Sequence, residues 1–235
     1  MKLLTVLLLI FVMPLHASIK VAVASNFKTT LNEIALRYQQ LSGDKVIISS
    51  ASTGTLFNQI RHGAPFDLFL SADSERAVLI EDSKYGVKGS RFTYAQGRLA
   101  FWLPQGEKVN QQTLLDFSGR LAIANPKLAP YGLASKQTLK QLNLWQRFSY
   151  IKGANIAQTY QFIDSGNINA GFVAYSLLLQ NNKQHYYLIP DNLHQPILQQ
   201  GVLLTAAADN KKVLNFINYL KSETTQAFIR EKGYL

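Results

Sequence analysis

The feature that most constrains the fold is a change of period around Ser25. The chain runs Val21-Ala22-Val23-Ala24 as an unbroken apolar stretch and stops at Ser25-Asn26. From Phe27 onward the apolar residues Phe27, Leu31, Ile34, Ala35, Tyr38 and Leu41 recur at spacings of three and four, which is the period of one helix face. A strand therefore feeds a helix through two small polar residues. Ser and Asn are good N-caps, because a side-chain oxygen can accept a free first-turn N–H. Gly43 is placed to end the helix, as glycine does just past a helix C-terminus.

The same arrangement returns three times. Val46 to Ser49 reads as a strand and leads into Ala51-Ser52-Thr53-Gly54-Thr55-Leu56, from which a helix with Leu56, Phe57 and Ile60 runs to about Gly63. Gly54 is expected to let a ligand approach the backbone closely. Pro65 to Asp73 is a third strand, with Asp67 bonding backbone and Asp73 capping the next helix. The order βαβαβ predicts a parallel sheet with right-handed crossovers. Gly97 to Pro104 reads as a strand entering a new region, and Leu121 to Ala124 as a strand leading to Asn125-Pro126-Lys127-Leu128-Ala129-Pro130-Tyr131-Gly132 and a helix. A short strand at Ile151 precedes Gly153-Ala154-Asn155-Ile156 and a helix over 157–163. Ile168 to Ala174 is a strand, followed by a short helix over 175–179 and extended returns over 186–190 and 195–204. Asp209 and Ser222 are expected to cap two C-terminal helices that pack back on the first block.

The pattern predicts an α/β protein of two lobes, each a mainly parallel sheet flanked by helices, with a ligand cleft between them. The boundaries are drawn at 18–95 for the first part of lobe 1, 96–201 for lobe 2 and 202–235 for the return to lobe 1. Residues 1–17 read as a secretory signal peptide: Lys2, an apolar run from Leu3 to Leu15, then the small residue Ala17. The run is short for a membrane span. That predicts export to the periplasm. No Cys is present, which excludes disulfides, thiol nucleophiles and a lipid-modified cysteine.

The 24 Lys and Arg against 14 Asp and Glu give a formal charge of +10. The basic residues are scattered without a run, so no nucleic-acid surface is indicated, but the charge can speed arrival of a small anion. G-x-S-x-G, H-E-x-x-H and P-loop patterns are absent, and Ser25 has no evident base, so catalysis is not expected and a hydrolase is the weakest alternative. His62, His185 and His194 stand singly, without metal-ligand spacing; neither a metal as free cation nor a cofactor is expected.

The chain resembles the molybdate-binding proteins of ABC transporters, which have the type II periplasmic binding protein fold. The resemblance is carried by Ala24-Ser25-Asn26-Phe27, by Ala51-Ser52-Thr53-Gly54-Thr55-Leu56 and by Gly63-Ala64-Pro65-Phe66-Asp67-Leu68-Phe69-Leu70-Ser71-Ala72-Asp73. Ala129-Pro130-Tyr131-Gly132-Leu133-Ala134 and Gly171-Phe172-Val173-Ala174 continue it. It implies a monomeric receptor that binds molybdate, and tungstate with it, and hands the oxyanion to a membrane ABC permease. It also implies the ligand set: Ser25 and Asn26, Ser52 and Thr53, Tyr131, and the backbone N–H of Ile156. Many members carry a tyrosine three residues after the glycine of the late strand, where this chain has Ala174, with Tyr175 one place on. Other members take the tyrosine from the proline-tyrosine turn, which assigns the role to Tyr131.

These residue types suit a fully deprotonated tetrahedral dianion. Ser, Thr and Tyr hydroxyls, an Asn amide and backbone N–H groups all donate. Helix N-termini add roughly half a positive charge each. Phosphate keeps a proton near neutrality and calls for a carboxylate acceptor, and the four turns hold no Asp or Glu. A carboxylate ligand calls for Arg, and the turns hold none. Sulfate is the alternative ligand, separated from molybdate by pocket size. A ligand-sensing domain of a transcription regulator shares this fold, but a signal peptide and no helix-turn-helix segment argue against it.

Overall fold

The computed structural model describes residues 18–235; the proposed signal peptide lies outside the described residues. The first sheet is built from β1 (Ile19–Ala24), β2 (Val46–Ala51), β3 (Leu68–Ser71), β4 (Phe92–Gly97) and β10 (Ile197–Leu203), in the order β2-β1-β3-β10-β4. The second contains β5 (Leu99–Trp102), β6 (Arg120–Ala124), β7 (Ser149–Gly153), β8 (Ala170–Ala174) and β9 (Tyr186–Leu188), in the order β7-β6-β8-β5-β9. In each sheet one strand runs against the rest, β10 in the first and β5 in the second. Both sheets are mainly parallel, as the alternation of strand and helix predicts.

Each sheet has helices on it. In the first lobe these are α1 (Lys28–Ser42), α2 (Thr53–Arg61), α3 (Ser74–Glu81), α8 (Lys211–Lys221) and α9 (Glu223–Glu231); in the second, α4 (Gln111–Asp116), α5 (Pro130–Gln141), α6 (Ile156–Asp164) and α7 (Tyr175–Gln180). Successive residues of β1 point to opposite faces. Ile19, Val21 and Val23 enter one core with Leu31, Ile34, Phe216, Leu220 and Phe228, whereas Ala22 enters another with Leu56, Ile60 and Ile80. The C-terminal helices thus cover the α1 side of the first sheet, as expected. The second lobe has its own core around Phe101, Leu121, Ile123, Phe172 and Leu178.

Several local expectations need correcting. Ser25 and Asn26 do not cap α1. A turn over Ala24–Phe27, closed by Phe27 N–H to the Ala24 carbonyl (3.0 Å), pushes the cap position to Phe27, which offers no side-chain bond. The two polar side chains are left over for other partners. Asn210, not Asp209, caps α8 by accepting from Lys212 N–H. The stretch read as one strand from Gly97 to Pro104 is two strands of different sheets: β4 ends at Gly97, and Arg98 is the crossing. In 92–96, Thr93 and Gln96 interrupt Phe92, Tyr94 and Ala95, so no continuous apolar run marks that strand. The boundary drawn at 201–202 falls inside β10, which lies wholly in the first sheet. Asp73 and Ser222 cap α3 and α9 as expected, and Asp67 Oδ2 accepts from Lys20 N–H at 2.7 Å.

Candidate functional site

The carboxyl ends of β1, β2, β6 and β7 and the helices that follow them meet at one point between the sheets. There, Ser25, Asn26, Ser52, Thr53, Tyr131 and Ile156 line a single small, tightly closed cavity. All six are buried. Ala24, Ala72, Ala129 and Pro130 complete the wall. None of these residues carries a charge, so a ligand there meets only dipoles and hydrogen-bond donors or acceptors.

Local chemistry explains what each turn can offer. Ser52 caps α2, its Oγ accepting from Thr55 N–H at 3.2 Å and lying 2.7 Å from the Thr55 hydroxyl. Thr53 follows as the first residue of the helix, and its hydroxyl oxygen accepts from Ala72 N–H at 3.0 Å. That oxygen is engaged as an acceptor, so the Thr53 hydrogen is free to donate. Asn155 caps α6 by accepting from Gln158 N–H at 3.0 Å, which puts Ile156 at the first position of that helix. Its side chain packs into the second-lobe core. α5 starts with Pro130, so Tyr131 lies within the first turn. The backbone N–H groups of Asn26, Thr53, Tyr131 and Ile156 have no acceptor among the described residues. Three belong to helix first turns, where such groups are orphaned by geometry and favour negative charge.

Tyr131 is buried, and loss of hydration, with Tyr234 nearby, holds its hydroxyl well above the usual tyrosine range despite the bond from Gln199. It therefore keeps its hydrogen at neutral pH. The hydroxyl also explains Gly97: a Cβ there would stand 2.1 Å from the Tyr131 oxygen. Gly97 is the last residue of β4, next to the crossing between lobes. Gly54 has a different role from the one expected. Its missing side chain leaves room for the Leu128 backbone of the other lobe, not for a ligand, and its N–H donates to the Leu128 carbonyl at 2.8 Å.

The two lobes touch at further points around the cavity. Ala157 N–H, in the first turn of α6, donates to Ser25 Oγ at 3.4 Å. Arg76 pairs with Asp73 at 2.5 Å and donates from Nη2 to the Lys127 carbonyl at 2.9 Å. Tyr175 lies outside the cavity wall; its ring sits beside Tyr186 and under Arg98.

Reading the sequence missed Gln199. It is fully buried in β10 and bridges the lobes: its Oε1 accepts from Asn26 Nδ2 at 2.8 Å and its Nε2 donates to the Tyr131 hydroxyl oxygen at 3.2 Å. The available signal was a glutamine pair, Gln199-Gln200, inside an otherwise apolar strand. Tyr94 and Tyr234, which also reach this network, gave no signal. No cluster of metal-binding side chains occurs among the described residues.

Comparison with known proteins shows the family. A family model described as bacterial extracellular solute-binding protein matches residues 19–235. The chain is 38% identical over 226 residues to the molybdate-binding protein ModA of Azotobacter vinelandii, covering 93% of this chain and 90% of the relative. It is 34% identical over 218 residues to ModA of Rhodobacter capsulatus, covering 91% and 86%. The solved periplasmic molybdate-binding protein of Azotobacter vinelandii superposes with a TM-score of 0.86 at 33% identity, covering 93% of this chain and 99% of that one.

Proposed function

The chain belongs to the bacterial extracellular solute-binding protein family, and on that premise we propose that it is a periplasmic receptor for molybdate that delivers the ion to a membrane ABC permease. Tungstate, of the same charge and shape, binds at the same place. The observation that carries this reading is the composition of the cavity. Hydroxyls, orphaned N–H groups and helix first turns converge from both lobes, and no carboxylate lines the wall. Such a site accepts a tetrahedral dianion without a proton. It offers hydrogen phosphate no side-chain carboxylate to receive its proton. The identity of the relatives selects molybdate over sulfate.

The ligand set is Ser25, Asn26, Ser52, Thr53, Tyr131 and Ile156. In mechanism, the ion first meets one lobe and the other then closes on it. Both lobes bond the same oxyanion, so binding stabilises the closed form. Excluding water strengthens each dipole's hold, because local screening falls. The mature receptor acts as a monomer, exported by its N-terminal signal. Titration calorimetry of the ligand-stripped protein with molybdate, tungstate, sulfate and phosphate is the test. Tight one-to-one binding of the first two, with weak sulfate and still weaker phosphate binding, is expected. No heat with molybdate, or tighter binding of sulfate, would overturn the assignment.

A further inference from the structure

We propose that Gln199 is a positioning residue that sets the direction in which Tyr131 uses its hydroxyl, and thereby makes the site read the protonation state of its ligand. The inference rests on the molybdate reading above and deepens it.

A chain of hydrogen-bond polarities runs from Tyr234 to Tyr131. The Tyr234 hydroxyl donates its only hydrogen to the Asn26 backbone carbonyl at 2.8 Å. Toward the Asn26 side chain, 3.5 Å away, Tyr234 can then only accept, which turns the amide so that Nδ2 faces this side. Nδ2 donates to Gln199 Oε1 at 2.8 Å, and Tyr94 brings a second hydroxyl to 3.1 Å of the same oxygen. With Oε1 taken by the Asn26 amide (the one Tyr94 hydrogen is shared with the Ser71 carbonyl, also at 3.1 Å), Nε2 is the atom left for Tyr131, and it donates to that hydroxyl oxygen at 3.2 Å. Tyr131 is thus engaged as an acceptor on the Gln199 side. Its single hydrogen is left to point elsewhere, and the cavity that Tyr131 lines is where an acceptor can enter.

The backbone explains how β10 supplies this group. The pairing of β10 with β4 shifts register between Gln199 and Gln200, leaving Tyr94 of β4 without a partner, and the two glutamines, as neighbours on a strand, face opposite sides of the sheet. Gln199 reaches toward the cavity wall, while Gln200 serves Arg91 and Thr93 on its own sheet. Because Tyr131 presents a donor and not an acceptor, the fully deprotonated oxyanion is favoured and one carrying a proton is penalised. A carboxylate in place of the amide would reverse this. It would take the Tyr131 hydrogen itself and leave the hydroxyl oxygen as an acceptor for the ligand.

The test is Gln199→Glu, with molybdate affinity measured by calorimetry and phosphate affinity by competition at pH 8. Both ligands are mainly dianions there, so repulsion by the added carboxylate acts on both and cancels in the ratio. The preference for molybdate over hydrogen phosphate is expected to fall by about tenfold, the size of one hydrogen bond made or lost. In a Tyr131→Phe background the same substitution should leave the ratio unchanged. Gln199→Met adds no charge and should lower the ratio in the same direction by a smaller factor, which covers the case in which the Glu variant does not fold. An unchanged ratio in both single variants, or an equal fall with and without the Tyr131 hydroxyl, would overturn the inference. Failure of the unsubstituted protein to bind molybdate would instead overturn the functional reading on which it rests.

Discussion

At the scale of single residues, the side chains around the cavity differ in what they already bond. Ser52 and Asn155 use their side chains on helix N–H groups, while Thr53 and Tyr131 accept from the protein and keep a hydrogen to give. Removing a donated bond to an anion costs about 1.5–3 kcal/mol. Tyr131→Phe is therefore expected to weaken molybdate binding by roughly 10- to 150-fold and to lower the melting temperature by a few degrees, because the buried Gln199 amide loses its acceptor; calorimetry and thermal denaturation measure both. The tyrosines also define a pH window. Burial pushes Tyr131 well above the ordinary range and Tyr234 up to about 12. Both groups stay protonated when the folded chain is at pH 7–9, so molybdate affinity should be flat across that interval. An unfolded tyrosine titrates near 10. Above that pH the unfolded chain releases these protons while the folded chain holds them, so stability is full below about pH 10 and falls as pH rises toward 12. Urea denaturation at pH 8, 10 and 11 measures this.

At the scale of elements, the donors are placed by four strand-to-helix junctions, and here the sequence was informative to different degrees. The junctions at Ser52-Thr53 and Asn155-Ile156 were legible because an apolar run, a capping residue and a helical period follow one another in order. The junction at Ser25-Asn26 was legible as a junction but not in detail: the extra turn before Phe27 depends on a backbone bond that no side-chain preference signals. The tyrosine was assigned through family resemblance, since nothing in the spacing distinguishes Tyr131 from Tyr175. Gln199 and Gly97 escaped because their roles come from contacts between distant segments, β10 and β4 against α5. A cap is worth about 1 kcal/mol. Asn155→Ala should thus lower stability by about that amount in urea denaturation. It should also weaken molybdate binding, because Ile156 presents its N–H from the turn that Asn155 holds.

For the whole molecule, two lobes with separate cores meet across an uncharged cavity, and they do so in a chain of net charge +10. These two facts act on different steps. The long-range field draws an anion in and is screened by salt over roughly 8–10 Å. In the proposed complex the closed site would hold the ion through short dipolar bonds that salt does not reach. Stopped-flow measurements between low and high ionic strength should show the association rate falling with salt while the dissociation rate stays nearly constant. The central claim is that molybdate is held between the lobes by Ser25, Asn26, Ser52, Thr53, Tyr131 and the Ile156 N–H. A crystal structure of the molybdate complex, with the metal located by its anomalous scattering, tests it most directly. The account predicts a single strong peak within the cavity, with hydroxyl and N–H groups of both lobes at hydrogen-bond distance from its oxygens. A peak outside the cavity, or an ion bonded by one lobe alone in an otherwise closed molecule, would contradict it.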